Sequence, residues 1–361
     1  MESNFKEQIE RDPYNFIVKW ASDLLPFTGG ESFKILALSL VSLILPDFSY
    51  KGRKIRTNMN MLILGNSGSG KTTISDEFTD LCYYPINAGS VTPAGLEDMI
   101  FEQRVFSIVV GDFSRIIKNP ITLKIIEALI EEKKLKKETK RQSIDIDVNG
   151  IGVFCGTPQD LSSYITGGFL FRVIPIYIRH NIDQHSTIGK DIVDNVERDG
   201  DFPERKKAIK KYYDELFEIQ TSKNNEKRVI SYNKDMLRDF GRRIFPLWDK
   251  DTKWINNQLK VKLDWFRELY EFFRFVITHA FLNIHNRNVV NGILEFEEDD
   301  FNVGKELMMS NIKRKYDLLS MSIFAKTINN LRKFDDVMNS SNLSEDRKEL
   351  IRELINVKGL S

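Results

Sequence analysis

A glycine-rich segment between a short apolar run and a helical pattern constrains this chain more than any other feature. The run MNMLIL stops at Gly65, the segment GNSGSGKTT follows, and helical apolar spacing continues to Leu81. A continuous apolar run of this length is typical of a strand that is buried on both faces of a parallel sheet. The spacing G-x-x-x-x-G-K-[ST] is met by Gly65, Gly70, Lys71 and Thr72, in the strand–loop–helix context that a phosphate-binding loop requires.

The loop residues predict a site for ATP and Mg²⁺. Glycines allow backbone N–H groups to point inward around phosphates, and the helix that follows adds the positive end of its dipole. Lys71 would neutralise the β- and γ-phosphates, and the Thr72 hydroxyl would bind Mg²⁺. The alternative is a chance glycine-rich turn, which the strand–loop–helix context disfavours. The predicted nucleotide-binding residues are Gly65, Asn66, Ser67, Gly68, Ser69, Gly70, Lys71, Thr72 and Thr73.

Polar residues follow two further apolar runs. Asp112 comes after the run Val105–Val110, where an acid at the carboxyl edge of a parallel strand can hold Mg²⁺. Asp112 could instead be a simple cap at the end of the strand. Phe113 stands where many P-loop ATPases have the glutamate that polarises the attacking water. Thr157 follows the next run and is predicted to lie near the γ-phosphate, although a Thr-Pro pair is also common in ordinary turns.

Strand-like and helical segments alternate through the first half of the chain, which predicts an α/β fold with a parallel sheet covered by helices on both faces. Beyond a polar stretch the chain is helical almost throughout, so we expect an all-α second domain. The predicted divisions are an N-terminal helical segment at 1–58, an ATPase core at 59–180, a linker at 181–204, a helical lid domain at 205–335 and a C-terminal tail helix at 336–361.

Composition narrows the class of protein. Of the 361 residues, 41% are hydrophobic and 29% charged, as in soluble globular proteins. The net charge of +1 excludes a global attraction to nucleic acid or membrane. The most apolar stretch, Ile35–Leu45, has 11 residues, fewer than the roughly 20 that span a bilayer. Together with a polar N-terminus and two cysteines without metal spacing, Cys82 and Cys155, this predicts a cytoplasmic protein with free thiols and no membrane partner.

Several segments, taken in order, resemble the AAA+ core of minichromosome maintenance (MCM) helicases, in the divergent form found in archaeal plasmids and viruses. AGSVTPAGLED is similar to the S-x-x-x-A-G-L stretch of that family, GDFSR stands at D-E-F-D-K, and FCGTP at the sensor-1 turn. FLFRVIPI stands at the arginine-finger segment, and WFRELYEFFRFVITHA matches R-x-L-x-x-x-x-R-x-x-x-x-H-A. An ungapped alignment of GDFSR would put Gly111 at the metal aspartate and Asp112 at the glutamate. The resemblance implies an AAA+ core followed by an all-α lid, assembled as a homo-oligomeric ring, with a hexamer expected.

Two arginines acquire candidate roles from the resemblance. Arg172 would be an arginine finger that reaches the ATP site of a neighbouring subunit, and its alternative role is an ordinary ion pair at a strand end. Arg267 would be the sensor-2 arginine. Its helix has a predicted buried face of Trp265, Phe266, Leu269, Phe272, Phe273, Val276 and Ala280. The alternative for the stripe of Arg267, Glu271, Arg274 and Thr278 is a solvated charged face with an internal ion pair.

The run KKLKKETKR, from Lys133 to Arg141, has six basic residues in nine. Such clusters bind phosphate backbones through counterion release, without reading sequence. The alternating segment SIDIDVN follows and predicts a hairpin that closes before the next strand. In MCM motors the corresponding hairpin contacts DNA in the central pore. Lys136, Lys137, Lys140 and Arg141 are therefore candidate contacts to DNA, single-stranded or forked, and the alternative is a solvated charge run.

Three functions remain open from the sequence. The leading hypothesis is an ATP-driven DNA translocase or helicase in the replication of a mobile element. A nucleotide-gated DNA-binding initiator with weak or no hydrolysis is the second, and the missing glutamate after Asp112 favours it. A protein-remodelling or packaging ATPase is the third, for which the basic run would be only a solvated surface.

Overall fold

The computed structural model describes residues 2–25, 29–131, 134–138, 143–158, 169–178, 200–259 and 265–340, together with Lys190. Most of the predicted linker and of the predicted tail helix lies outside these residues. The helix Pro13–Leu24 starts at a cap that the sequence supplies. Asp12 accepts a hydrogen bond from the Asn15 backbone N–H at 3.3 Å, and Pro13 occupies the first helical position, where its missing N–H costs nothing.

The helices have the following bounds: α1 Glu2–Arg11, α2 Pro13–Leu24, α3 Gly29–Ser42, α4 Lys71–Leu81, α5 Pro93–Gln103, α6 Phe113–Ile117, α7 Pro120–Glu131, α8 Phe202–Thr221, α9 Lys234–Leu259, α10 Phe266–Leu282 and α11 Glu298–Ser340. The strands are β1 Phe48–Tyr50, β2 Arg53–Ile55, β3 Met61–Gly65, β4 Pro85–Asn87, β5 Val105–Val110, β6 Lys134–Glu138, β7 Ser143–Asp147, β8 Asn149–Gly156, β9 Ile174–Ile178, β10 Ser231–Tyr232, β11 Val289–Val290 and β12 Ile293–Leu294.

A five-stranded sheet in the order β4-β5-β8-β3-β9 forms the centre of the fold, and all its strands are parallel. Strand β3 lies between β8 and β9, and every residue of Met61–Gly65 is buried. The continuous apolar run follows from this position, because helices cover the sheet and leave no solvated face. The predicted α/β class with a helix-flanked parallel sheet is confirmed.

The predicted elements largely agree with the structure, with three differences. The hairpin β1–β2 and the edge strand β4 were not predicted. The helical second half also contains a small sheet, β10-β12-β11, so this part is not purely α.

Helices α10 and α11 form an antiparallel pair with buried polar contacts. The Asp300 carboxylate accepts from His279 Nδ1 at 2.7 Å, from Arg287 Nη2 at 2.9 Å and from the Glu297 backbone N–H at 2.7 Å. Burial opposes ionisation, but the hydrogen bonds from His279 and Arg287 lower the pKa of Asp300. This network ties the start of α11 to the end of α10.

The predicted burial pattern of α10 is wrong in part. Glu271 and Thr278 are buried, so the alternative of a solvated stripe does not hold for them, and Phe266, predicted to be buried, is exposed. The predicted internal ion pair does form, between Glu271 and Arg274. Near the start of α10, the Glu268 carboxylate lies 2.7 Å from Lys315 Nζ of α11, and both side chains are fully buried.

The Glu268–Lys315 pair should behave as a buried ion pair in a double-mutant cycle. Glu268→Ala should lower the free energy of unfolding by about 3–5 kcal/mol, because it leaves Lys315 buried without its counter-charge. The double variant Glu268→Leu/Lys315→Met should recover most of that loss. Lys253→Ala, which breaks the exposed pair with Asp249 at 2.7 Å, should cost less than about 1 kcal/mol. Equal losses for the two single variants in urea unfolding would contradict this assignment.

Candidate functional site

The segment between β3 and α4 forms a tight loop at the carboxyl end of the central strand. Gly68 and Gly70 have φ angles of 77° and 84°, in the left-handed region that residues with a Cβ seldom adopt. Gly70 is also the N-cap of α4 and provides no side-chain cap. The first N–H groups of α4 therefore face the loop without a capping side chain, which suits them to bind an anion.

Close packing at the base of the loop explains why Gly65 has no side chain. A Cβ at this position would lie 2.3 Å from the Ser69 Oγ and 3.1 Å from the Ile178 carbonyl oxygen. Ser69 is itself buried beneath the loop, whereas Asn66, Ser67 and Gly68 are exposed on its rim. The backbone of the loop is thus held by contacts below it and presents its upper side to solvent.

Lys71 is positioned at the centre of this loop. Its Nζ donates to the carbonyl oxygens of Gly65 and Asn66, both at 2.7 Å. An ammonium group has three donors, so these two bonds orient the charge and leave one donor for a ligand. Thr72 and Thr73 are exposed in the first turn of α4, beside the same opening. The arrangement can hold a phosphate group by charge and by backbone N–H donors.

Strand register brings two further predicted residues to the carboxyl end of the sheet, where the loop lies. Leu64 of β3 pairs with Gly156 of β8, so Thr157 comes level with Gly65. Val110 of β5 pairs with Phe154 of β8, so Asp112, two residues later, comes level with Gly156. Because the strands are parallel, Asp112 and Thr157 lie at the carboxyl ends of the strands, on the same side of the sheet as Lys71. The polar end of the intervening strand β8 separates the acid from the loop.

Asp112 is the N-cap of α6 in this structure. Its carboxylate accepts from the Ser114 backbone N–H at 3.1 Å and from the Ser114 Oγ at 2.6 Å, and it pairs with Arg115 Nε at 3.2 Å. The capping role considered from the sequence is therefore present, and the metal role stays a prediction. Phe113, which follows, is fully buried and stacks on Phe169 with ring centroids 5.2 Å apart.

Arg172 lies at the amino ends of the strands, opposite the end of the sheet that carries the phosphate loop. It ends a 3-10 turn over Leu170–Arg172 that immediately precedes β9. Strand β9 pairs with β3 so that Ile178 stands opposite Gly65. Six residues at about 3.3 Å each place the backbone of Arg172 about 20 Å from the loop of its own chain. Arg172 therefore cannot reach its own phosphate loop.

Arg267 also lies away from the loop. It is exposed in the first turn of α10, next to Trp265, whose ring meets the ring of Phe171 edge-on at 5.4 Å. This contact places Arg267 near the turn that carries Arg172. Arg274 has a structural role instead, since its Nε donates to the Arg56 carbonyl oxygen at 2.8 Å and it pairs with Glu271.

The basic run forms the predicted hairpin in part. Strands β6 and β7 pair antiparallel, with Lys136 opposite Asp145 and Lys137 opposite Ile144. Lys140 and Arg141 lie outside the described residues. The hairpin leads directly into Asn149 at the start of β8, so its base lies at the edge of the sheet opposite the phosphate loop.

Both cysteines are free and buried, as predicted. Burial raises the pKa of Cys155 to about 11 and that of Cys82 to about 12, so both remain thiols at neutral pH. Cys155 is on β8, and its Sγ lies 4.0 Å from the Lys71 carbonyl oxygen. Its position supports the loop by packing rather than by reactivity.

A site for Mg²⁺ would depend on the nucleotide. Within the described part of the chain, no group of three or more His, Cys, Asp or Glu side chains is placed to hold a metal ion. Mg²⁺ in nucleotide sites is usually held by one or two protein groups together with phosphates and waters. Thr72 and Asp112 at one edge fit that donor set.

Comparison with known proteins does not assign this chain to a family. No protein-family model matches the chain, and no curated protein matches it significantly. Among the described helices, none is long and apolar enough to cross a membrane.

Glycine substitutions test the packing of the loop. Gly65→Ala should lower the free energy of unfolding by about 1–3 kcal/mol, because the new methyl group overlaps Ser69 and the backbone of β9. Gly111→Ala is the matched control, since a Cβ there meets nothing within 4 Å; it should be neutral or slightly stabilising. Urea unfolding measures both, and an equal effect of the two substitutions would contradict the geometry of the loop.

Proposed function

We propose that this chain binds ATP with Mg²⁺ at the loop Gly65–Gly70 and hydrolyses it as an AAA+ ATPase resembling the MCM motors. The observation that carries the proposal is the Lys71 ammonium, held by two carbonyl oxygens at the mouth of a loop that leads into an uncapped helix N-terminus. Charge and backbone donors converge there on the space that a triphosphate would fill.

Each residue of the site would have a separate role in binding or hydrolysis. Lys71 neutralises phosphate charge, and the loop N–H groups orient the phosphates. The Thr72 hydroxyl and the Asp112 carboxylate would hold Mg²⁺, which neutralises charge on the β- and γ-phosphates. Thr157, at the end of the intervening strand, would orient the γ-phosphate or the attacking water. Helices α8 to α11 would form the lid of the motor.

DNA is the proposed substrate of the motor. The hairpin β6–β7 carries basic residues, and its base lies at the amino ends of the strands, away from the phosphate loop. In a ring of subunits, hairpins in equivalent positions would present their charge to one strand of DNA. A slow or inactive initiator is the second candidate, because the buried Phe113 offers no side chain that could polarise water beside Asp112.

The rate of ATP hydrolysis with and without single-stranded DNA separates the candidates. Stimulation by DNA supports the motor, whereas nucleotide binding without turnover supports the initiator. Turnover that does not respond to DNA would instead favour an ATPase that acts on protein.

Removing the loop lysine should abolish the activity. Lys71→Ala should weaken ATP binding strongly or eliminate hydrolysis, because the ammonium serves charge and not the packing of the core. Lys124→Ala, at an exposed position on α7, is the matched control and should behave as the parent. Binding is measured with a fluorescent ATP analogue and hydrolysis by phosphate release. If Lys71→Ala binds and hydrolyses ATP as the parent does, the nucleotide site lies elsewhere.

Neutralising the hairpin should remove DNA binding alone. Replacing Lys136, Lys137, Lys140 and Arg141 with Gln should lower affinity similarly across sequences and flatten the dependence of log K on log salt. The slope should change by about 0.7 per lost contact on single strands. ATP hydrolysis without DNA should persist, because the hairpin lies away from the phosphate loop.

The control for the hairpin variant has the same loss of charge elsewhere. Lys211, Lys223, Lys234 and Lys250 are exposed on α8, on α9 and between them, and replacing these four with Gln should leave the salt slope of DNA binding unchanged. If the hairpin variant keeps the parent's affinity and slope, the basic run does not contact DNA.

A further inference from the structure

A cleft of about 620 Å³ opens between α1 and α8. The described residues that line it all belong to these two helices, so the cleft is separate from the phosphate loop. Binding sites for small molecules have volumes of roughly 300–1,000 Å³ and mainly apolar linings with a few charged groups. The apolar part of this lining consists of Phe5, Ile9, Pro203, Ala208 and Tyr212.

Hydrogen bonds hold the walls of the cleft in place. The Tyr212 side chain is buried, and its hydroxyl donates to the Leu282 carbonyl oxygen at 2.6 Å. The Asn286 side chain donates to the carbonyl oxygens of Glu10 and Arg11 at 2.8 and 3.0 Å. Both α1 and α8 are therefore attached to the segment that ends α10 and follows it. Because the cleft is preformed, a ligand would not have to order these helices when it binds.

Four lysines of α8 divide between two faces of the helix. Lys206 pairs with Glu77 of α4 at 2.7 Å, and Lys210 donates to a carbonyl oxygen just after α4 at 3.0 Å. These two lysines attach α8 to the helix that leaves the phosphate loop. Lys207 and Lys211 line the cleft instead. The second pair therefore has a different role from the first.

The lysines of the cleft bring like charges together. Lys207 and Lys211 are exposed and stand one turn apart on α8, where like charges destabilise a helix. Within the described part of the chain, Lys211 has no ion-pair partner. Lys6 of α1 adds a third ammonium group to the lining and pairs with Glu10 at 3.3 Å. An anion between Lys207 and Lys211 would offset their repulsion, which favours its binding.

Two carboxylates also line the cleft, and each has a favourable contact within the protein. Glu204 is in the first turn of α8, where the positive end of the helix dipole stabilises negative charge. Glu215 lies 3.3 Å from His285 Nε2. The three ammonium groups outnumber these two carboxylates, so the lining favours an anion over a cation.

We propose that this cleft binds a small aromatic oxyanion, with its ring against the apolar lining and its carboxylate or phosphate group at Lys207 and Lys211. The lining contains two aromatic side chains, Phe5 and Tyr212, against which a flat ring can pack. The ammonium groups provide the charge that an oxyanion requires. The site is independent of the proposed ATPase activity, because no residue of the phosphate loop takes part in it.

Binding of 8-anilinonaphthalene-1-sulfonate (ANS) to the full chain tests the site, since ANS combines aromatic rings with one anionic group. The charge variant, Lys207→Gln/Lys211→Gln, should raise the dissociation constant of ANS by about tenfold or more, as loss of a hydrogen bond to a charged group does. The control variant, Lys223→Gln/Lys234→Gln, removes two lysines that are exposed elsewhere. It should change the constant by less than about twofold. Equal dissociation constants for the two variants in fluorescence titrations would contradict the proposal.

Filling the cleft tests its apolar part. Ala208→Trp should raise the dissociation constant of ANS by about tenfold or more, because the indole ring takes the space that the ligand needs. Ala94→Trp, at an exposed position on α5, is the matched control and should bind ANS as the parent does. A loosened fold binds more ANS and not less, so weaker binding cannot come from unfolding. Unchanged affinity in Ala208→Trp would overturn the proposal, and if thermal unfolding shows that this variant does not fold, the charge variant decides.

Competition against ANS identifies the anionic group. Naphthoate and naphthyl phosphate share one ring system, so displacement by only one of them assigns a carboxylate or a phosphate to the site, and displacement by both assigns an oxyanion of either kind. Naphthalenemethanol has the same rings without the charge and should compete about tenfold less well or worse. Failure of both anions to displace ANS would sink the proposal, as would equal competition by the alcohol.

The variant Lys71→Ala separates this site from the proposed function. It should bind ANS as the parent does, because the cleft and the phosphate loop share no lining residue. Loss of ANS binding in Lys71→Ala would place ANS at the phosphate loop and overturn the proposal. Failure of the parent chain to bind ATP would instead remove the proposed function and leave the binding of ANS at the cleft unaffected.

Discussion

The register of strand β3 between β8 and β9 is the constraint on which the rest of this structure depends. All five residues of β3 are buried, and parallel pairing on both sides fixes their level relative to each neighbour. A one-residue slip would turn its side chains to the opposite faces of the sheet and move Thr157 and Gly65 out of level. The positions of the phosphate loop, Asp112 and Arg172 all follow from this register.

The helix that leaves the phosphate loop is held at its far end by the helical half of the chain. Lys206 of α8 pairs with Glu77 of α4 at 2.7 Å, and Lys210 donates to the Cys82 carbonyl oxygen at 3.0 Å. The second contact places a cation at the negative end of the α4 dipole. The Tyr83 hydroxyl also donates to the Tyr213 carbonyl oxygen. A displacement of α4 must carry α8 with it or break these contacts.

The sequence was most informative where local pattern and tertiary environment agree. The buried strands β3 and β5 and the loop between Gly65 and Lys71 were predictable, because a sheet covered on both faces requires continuous apolar runs and a phosphate loop requires glycines. Strands of three residues such as β4 carry too short a pattern to detect. The burial of Glu271 was not predictable, because Glu271 pairs with Arg274, which donates to the carbonyl oxygen of Arg56, a residue that is distant in sequence. Phe266, in the first turn of α10, stacks on Trp248 and remains 58% exposed.

The separation between the two ends of the sheet limits what one chain can do. The carboxyl ends of the strands carry Lys71, Asp112 and Thr157. The amino ends carry Arg172 and the base of the hairpin β6–β7. Hydrogen bonds between neighbouring strands keep the strands extended, so the two ends of the sheet stay apart. No hinge within the sheet can bring Arg172 to Lys71. A reaction that uses groups from both ends must therefore occur between two chains. The fold thus makes any joint action of Lys71 and Arg172 a property of the assembly, and the surface beside Arg172 is where that assembly would have to form.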